Sequence, residues 1–226
     1  MIGYVLSMKL KRVPYWIARF YCQGLSALLL RTRVVGLRHV PREGAVLLVS
    51  NHQSYMDPIL ATMDIPREGN YMARDSLFKN PLFGRMIAYL NAFPVRRNTA
   101  DLAAIKESLR RLKQGKALLL FPEGTRTVDG RIQPMLPGLG AIAKKARVPI
   151  VPTLIDGVFQ AWPRHRPFPG VGNVIVEYDR PISPAQFQSL TADELMNMIH
   201  GRLVAMQRRW HDRFPQRRLS WYGTAD

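Results

Sequence analysis

The chain is poor in several things that would each decide its class. It has one cysteine, Cys22, in 226 residues. That excludes an internal disulfide and any metal site built from several cysteines, and it suits a reducing compartment. Acidic residues are scarce: 16 Asp and Glu stand against 33 Lys and Arg, a formal net charge of +17. Such an excess points to an anionic partner, either nucleic acid or an anionic lipid surface. Long apolar runs are missing too. The best candidate, residues 14–30, is interrupted by Arg19 and Gln23, short of the ~20 predominantly apolar residues a spanning helix needs. Lys9, Lys11 and Arg12 are not followed by a clean apolar core with a small-residue cleavage site, so no cleavable signal peptide is expected. Neither an internal repeat nor a low-complexity segment is present.

What is there is ordinary for a globular chain: 47% apolar and 22% charged residues, enough for one domain with a proper core. Two apolar strands, 33–37 and 45–49, are joined by the turn-rich Pro41-Arg42-Glu43-Gly44. A helix is expected from Pro58 to Met63, a strand over 71–74, and a helix carrying Leu82, Met86 and Leu90. A strand end follows at 93–97. Thr99 reads as the N-cap of a helix with Leu102, Ile105, Leu109 and Leu112 as its apolar stripe and Gly115 as its stop. The buried strand 116–121, the helix 140–147, the strand 148–155 and a strand over 174–178, placed at a sheet edge, continue the series. Thr191-Ala192-Asp193-Glu194 is a capping box opening a last helix with Leu195, Ile199, Met206 and Trp210 on one face. Alternation of strand and helix predicts an α/β fold, a largely parallel central sheet flanked by helices.

Residues 1–32 form the first expected unit. Tyr15, Trp16, Phe20 and Tyr21 amid Lys9, Lys11, Arg12, Arg19 and Arg31 describe an amphipathic, membrane-associating helical segment, aromatics at headgroup depth and cations toward anionic lipid. A helix packed on the domain is the other reading. Residues 33–226 form the second unit, ending in a basic helix and tail. There Arg208, Arg209, Arg213, Arg217 and Arg218 mix with Trp210, Phe214 and Trp221, either a membrane contact or a solvated basic face.

Three polar loops carry candidate chemistry. Asn51-His52-Gln53-Ser54-Tyr55-Met56-Asp57 leaves the carboxyl end of an apolar strand, where α/β enzymes often keep their sites. An imidazole can take a proton from a hydroxyl, and a carboxylate can hold it in the right tautomer. Five residues turn roughly 140° around a helix, so His52 belongs on the loop and Asp57 near a helix start, which Pro58 favours. Read alone, His52 is as well a loop histidine and Asp57 a cap. Phe121-Pro122-Glu123-Gly124-Thr125-Arg126 is the second strand-end loop. Gly124 permits close backbone approach, Arg126 offers a fork of phosphate donors, and Glu123 can accept a hydroxyl hydrogen bond. Arg96 and Arg97 are the third, a phosphate clamp or plain basic surface.

Together, and with Val148-Pro149-Ile150-Val151-Pro152, these loops occur in an order that resembles the four-block signature of the glycerolipid acyltransferases typified by 1-acylglycerol-3-phosphate (lysophosphatidic acid) acyltransferase. The segment from Ala73 to Gly84 is similar to the family's linker, and the likeness runs from Arg33 to Asp156. It implies direct acyl transfer: His52 as general base on a glycerol hydroxyl, oriented by Asp57, with attack on the thioester of acyl-CoA or acyl carrier protein. Arg97 and Arg126 would hold the acceptor's phosphate, and Glu123, Gly124 and Thr125 would shape its pocket. No metal and no cofactor beyond the acyl-donor substrate is implied. The implied partners are a lysophospholipid acceptor and an anionic membrane surface at the cytoplasmic face, with no nucleic acid. The family commonly has an acidic residue before the second-block arginine, where this chain has Arg96. Another lyso-lipid acceptor, such as a lyso-ornithine lipid, keeps the chemistry and changes the acceptor. A basic nucleic-acid-binding module is the other class, although no signature of one is present. His39, His165, His200 and His211 lack partner spacing and read as surface or packing residues.

Overall fold

The computed structural model describes residues 12–96 and 101–215. Lys9, Lys11, Arg97, Thr99, Arg217, Arg218 and Trp221 lie outside them. Seven strands form one sheet: β1 (Arg33–Val35), β2 (Val46–Ser50), β3 (Gly69–Arg74), β4 (Ala92–Val95), β5 (Ala117–Leu120), β6 (Ile150–Asp156) and β7 (Ile175–Tyr178). Their order is β1-β7-β6-β2-β5-β3-β4. Pairing is parallel throughout except between β6 and β7. The largely parallel sheet flanked by helices is therefore the fold observed.

β2 sits at the centre, every residue buried. Val46 and Leu48 pack into one apolar layer and Leu47 and Val49 into the other, as a strand's period of two requires. A strand covered on both faces has no polar alternation, which is why it reads as one apolar run. On the first face lie α1 (Val13–Leu30), α2 (Asp57–Leu60), α3 (Pro81–Tyr89) and, later in the chain, α6 (Val158–Ala161). On the second lie α4 (Leu102–Lys113), α5 (Pro137–Ala146), α7 (Pro184–Phe187) and α8 (Ala192–Arg213). The chain leaves β2 toward β3 across the first face and leaves β5 toward β6 across the second. Connections departing in opposite directions from neighbouring strands open a crevice at their carboxyl ends.

Several local expectations shift. The 174–178 strand is not an edge: β7 lies between β1 and β6, because Ile175 packs in one layer and Val176 and Tyr178 in the other. β1 is separated from β2 by β7 and β6. It ends at Gly36 (φ 75°), where an added Cβ would lie 2.0 Å from the Tyr178 carbonyl oxygen. His39 Nδ1–H donates to the same carbonyl at 2.9 Å. Helix α2 stops at Leu60 rather than Met63. In α3, Gly84 and Ile87 are buried while Leu82 and Met86 are exposed. The helix approaches Phe78 so closely that a Cβ on Gly84 would come within 2.9 Å of that residue's carbonyl oxygen, which rotates the leucine face outward. The cap of α4 is Asp101, whose carboxylate accepts from the amides of Ala103 and Ala104 at 3.1 Å. Its inward side carries Ala104, Ser108 and Leu112, and Leu102 is exposed.

Helix α1 is amphipathic in an inverted sense. Tyr15, Arg19, Gln23, Ser26 and Leu30, spaced at three and four, face the domain. Arg19 donates to the carbonyls of Ile65 and Arg67. Gln23 donates to the Met63 carbonyl at 2.7 Å and the Asp64 carboxylate at 2.9 Å. Arg12 donates to the Tyr89 carbonyl and the Asn91 side chain, and pairs with Glu68. The residues that interrupt the apolar run are thus the docking residues, and Arg12 and Arg19 are turned to the domain, not to lipid. Trp16, Ile17, Phe20, Tyr21 and Leu28 face solvent. Among the described residues no helix is long and apolar enough to cross a membrane.

Helix α8 opens with the predicted capping box: Thr191 Oγ1 accepts the Glu194 amide, and the Glu194 carboxylate accepts the Thr191 amide at 2.7 Å. Further along, Gln207 Nε2 donates to Asp156 Oδ1 at 2.8 Å, and His211 Nε2 lies 3.1 Å from Asp156 Oδ2. His211 is a packing residue as expected, yet it has a carboxylate partner 55 positions away, at a distance no local spacing reveals. Replacing Thr191 with Ala should cost about 1 kcal/mol of stability through the lost cap, measured by urea denaturation against the unaltered chain.

Candidate active site

Residues 51–56 leave β2 without regular structure, and Asp57 begins α2 with Pro58 next to it in the first turn. The turn brings the two ends of the His-x4-Asp spacing together. His52 Nδ1 lies 2.6 Å from Asp57 Oδ2, and the same oxygen accepts the amides of Gln53 at 2.5 Å and Ser54 at 2.7 Å. Asp57 is fully buried. Its Oδ1 is buried without a partner; Oδ2 accepts, so across this contact Nδ1 carries the hydrogen. The remaining ring nitrogen, Nε2, has no hydrogen-bond partner among the described residues. A histidine held in this tautomer has one basic nitrogen left for a proton.

Four of its residues hold the loop in place. Asn51 exchanges both amide bonds with Ile155 of β6: its side-chain NH2 donates to the carbonyl and its Oδ1 accepts the amide, each at 2.8 Å. Gln53 Nε2 donates to the Gly130 carbonyl at 2.9 Å, and its Oε1 accepts the Phe159 amide at 3.3 Å. Ser54 Oγ donates to the Trp162 carbonyl at 2.8 Å. The imidazole of His52 stacks on Phe121, centroids 4.2 Å apart and planes 19° from parallel.

The second polar loop follows β5, the neighbour of β2, and is therefore pinned against the first. The Thr127 amide donates to the His52 carbonyl at 2.8 Å, and the His52 amide donates to Glu123 Oε1 at 3.0 Å. Glu123 is buried, and its Oε2 has no partner. Burial pushes its carboxyl up to about 8, opposed by the amides of His52 and Gln133 and reinforced by the charges of Asp57 and Asp129. Near neutral pH, Glu123 is thus mainly a neutral carboxyl with a proton to donate. Gly124 takes the left-handed conformation (φ 71°), and its amide donates to the Phe121 carbonyl at 3.1 Å. That N–H closes the turn. Thr125 is exposed. The Arg126 guanidinium carbon lies 3.4 Å from the centroid of the Tyr55 ring, and its Nη1 is buried with no hydrogen-bond partner. Tyr55 leans in turn on Trp162 at 5.6 Å.

His52, Asp57, Glu123 and Arg126 therefore converge on two adjacent strand ends. Arg97 lies outside the described residues. Arg96 donates its amide to Asp101 and pairs with that carboxylate at 3.8 Å, so its charge is engaged by the α4 cap. Gln53, Tyr55, Thr127 and Trp162 were not singled out for roles in the sequence. Gln53 and Tyr55 stood inside the motif, while nothing local marks Trp162.

A three-layer α/β sandwich with a His–Asp pair on the loop after its central strand, beside a Glu-Gly-Thr-Arg loop, defines the class. The Acyltransferase family model matches residues 31–156, just over half the chain, and the chain belongs to that family. It is 32% identical over 165 residues to a 1-acyl-sn-glycerol-3-phosphate acyltransferase of Cocos nucifera, covering 70% of this chain and 52% of that protein. A 1-acyl-sn-glycerol-3-phosphate acyltransferase of Bacillus subtilis (strain 168) is 30% identical over 126 residues, 55% of this chain and 62% of that one. The chain thus spans about half to three fifths of these curated relatives. The crystal structure of the 1-acyl-sn-glycerophosphate (LPA) acyltransferase PlsC from Thermotoga maritima superposes with a TM-score of 0.76 at 27% identity, covering 89% of this chain and 84% of that one.

The raised Glu123 pKa has a testable sign. A carboxyl whose folded value lies above its ordinary value contributes most to stability below that ordinary value, and the contribution is lost as pH rises toward the folded one. Between pH 4.5 and about 8 the protein should therefore lose stability through this group. Glu123→Gln, which mimics the neutral form, should remove that slope. Its thermal midpoint should exceed that of the unaltered chain by several degrees near the upper limit and by little near the lower one, checked by melting both across the window.

Proposed function

We propose that this protein transfers a fatty acyl group from acyl-CoA or acyl carrier protein to the free hydroxyl of 1-acylglycerol-3-phosphate, giving phosphatidic acid. The observation that carries the reading is the buried His52–Asp57 pair at 2.6 Å, set beside an unpartnered buried guanidinium nitrogen of Arg126. The hydroxyl proton passes to His52 Nε2 while the oxygen bonds to the thioester carbonyl carbon. The C–S bond then breaks, and the thiolate takes up the proton from the imidazolium. Asp57 holds the ring and stabilises the imidazolium, with its own charge anchored by the two loop amides. A positioned base contributes about 10²- to 10⁴-fold.

Arg126 binds the acceptor phosphate. Arg97 is given the same partner on the sequence resemblance alone, and Thr125 contributes at the pocket's rim. A neutral Glu123 donates to the acceptor without setting a second negative charge beside a phosphate. The reaction takes place at a membrane on its cytoplasmic side, with residues 1–32 as the membrane-associating unit and 33–226 as the catalytic one. Support for the membrane comes from the outward aromatic and aliphatic face of α1 and the charge of +17.

The test is thiol release from long-chain acyl-CoA with a panel of acceptors, lysophosphatidic acid and a lyso-ornithine lipid among them, products identified by mass spectrometry. Turnover with lysophosphatidic acid is expected; turnover only with another acceptor would overturn the substrate assignment. His52→Ala should lower kcat by at least about 10²-fold with an unchanged melting profile, and substantial residual activity would remove it as the base. Arg126→Ala should raise the acceptor KM roughly 10- to 100-fold, the range for a charged hydrogen bond, while leaving the acyl-donor KM near its original value.

A further inference from the structure

The loop that follows α6, residues 162–173, carries Phe168 and Val171 with 79% and 77% of their surface exposed. The loop is braced at both ends. The Trp162 indole N–H donates to the Arg166 carbonyl at 3.0 Å, the Arg166 amide to the Pro163 carbonyl at 3.1 Å, and the Gly170 amide to the Ala161 carbonyl at 2.7 Å. The apolar tips are thus held outward by a built turn. Two such side chains left in water forgo the free energy that burial would gain. Arg164, His165 and Arg166 beside them are exposed, and no acid occurs between Asp156 and Glu177.

The loop also joins two regions already described. The Gly172 amide donates to the Leu29 carbonyl at 3.0 Å and the Val174 amide to the Leu30 carbonyl at 2.9 Å. The loop therefore continues from the end of α1 where Leu28 is 76% exposed. At its other end, Trp162 accepts from Ser54 and touches Tyr55, next to His52.

From this placement we infer that residues 164–171 form a second membrane-insertion element, Phe168 and Val171 entering the acyl region of an anionic bilayer and Arg164 and Arg166 binding lipid headgroups. The inference rests on the reading of α1 as a membrane-facing helix, whose outward face it extends to the edge of the active site. Continuity with that face, together with cations unbalanced by any nearby acid, favours a lipid surface as occupant over a second protein. An insertion element here sets the crevice against the membrane, so that a lyso-lipid reaches His52 without leaving the interface.

The test uses the full chain with Cys22→Ala and a single cysteine at one position, Phe168→Cys, Val171→Cys, Phe20→Cys on α1, or Lys113→Cys on the opposite face. Each is labelled with an environment-sensitive fluorophore. Vesicles contain phosphatidylcholine and phosphatidylglycerol with quencher-bearing acyl chains. Quenching at 168 and 171 but not at 113 is expected. Quenching at 20 without quenching at 168 and 171 would overturn the inference and leave α1 as a membrane helix. No quenching at 20, 168 or 171 would overturn both. Quenching at 168 without 20 would uphold the loop and remove α1. A concentration-dependent change at 168 without vesicles, with self-association in the ultracentrifuge, would make a second copy the occupant and overturn the lipid assignment. Arg164→Ala with Arg166→Ala should weaken partition into anionic vesicles on the order of tenfold and leave partition into neutral ones unchanged; equal partition of the variant and the parent into anionic vesicles would sink the headgroup contact.

Discussion

One carboxylate oxygen organises the site. Asp57 Oδ2 accepts the His52 ring and the amides of Gln53 and Ser54. Those three bonds turn an irregular loop into a defined turn and choose the ring nitrogen that carries hydrogen, while Oδ1 stays buried without a partner. Nothing else within the loop would oppose rotation of the imidazole except its stacking on Phe121. The spacing works because the chain turns between the two residues, which a regular helix would prevent.

The sheet supplies what the loop lacks. β2 is paired on both sides, by β5 and β6, and each neighbour contributes a clamp on its polar extension. β6 offers the Ile155 backbone to Asn51, and the loop after β5 offers the Thr127 amide and the Glu123 carboxylate to His52. Packing on both faces of the sheet excludes water from the root of the site. The same exclusion raises the Glu123 pKa and makes an unpartnered arginine nitrogen costly unless an anion meets it.

At the surface the balance is reversed. Helix α1 spends its polar side chains on docking and shows its apolar ones to solvent. This placement follows from the Met63–Arg67 stretch, whose carbonyls need donors and obtain them from Arg19 and Gln23. The cationic character of the chain is correspondingly uneven: Arg12, Arg19 and Arg111 are drawn into contacts with carbonyls and acids, while Arg164, and Arg166 with its 3.5 Å bond to the Gln160 carbonyl, lie beside exposed apolar tips.

The alternation of strand and helix, the buried central strand and the capping box of α8 are legible in the sequence, as is the spacing that permits His52 and Asp57 to pair. Each is written in local signals: apolar periodicity, a cap residue, a short spacing opened by proline. Long-range packing sets β7 inside the sheet and fixes which face of α1 and of α3 turns outward, while Gly124's amide is consumed in its own turn. Strand order depends on contacts between distant segments, and a helix's rotation is set by its closest approach, as at Gly84 against Phe78. Among the described residues the tertiary structure also sets one basic side chain beside the site apart from another. Composition counts charges, but only packing separates Arg126, stacked on Tyr55 with a buried free nitrogen, from Arg96, held by Asp101.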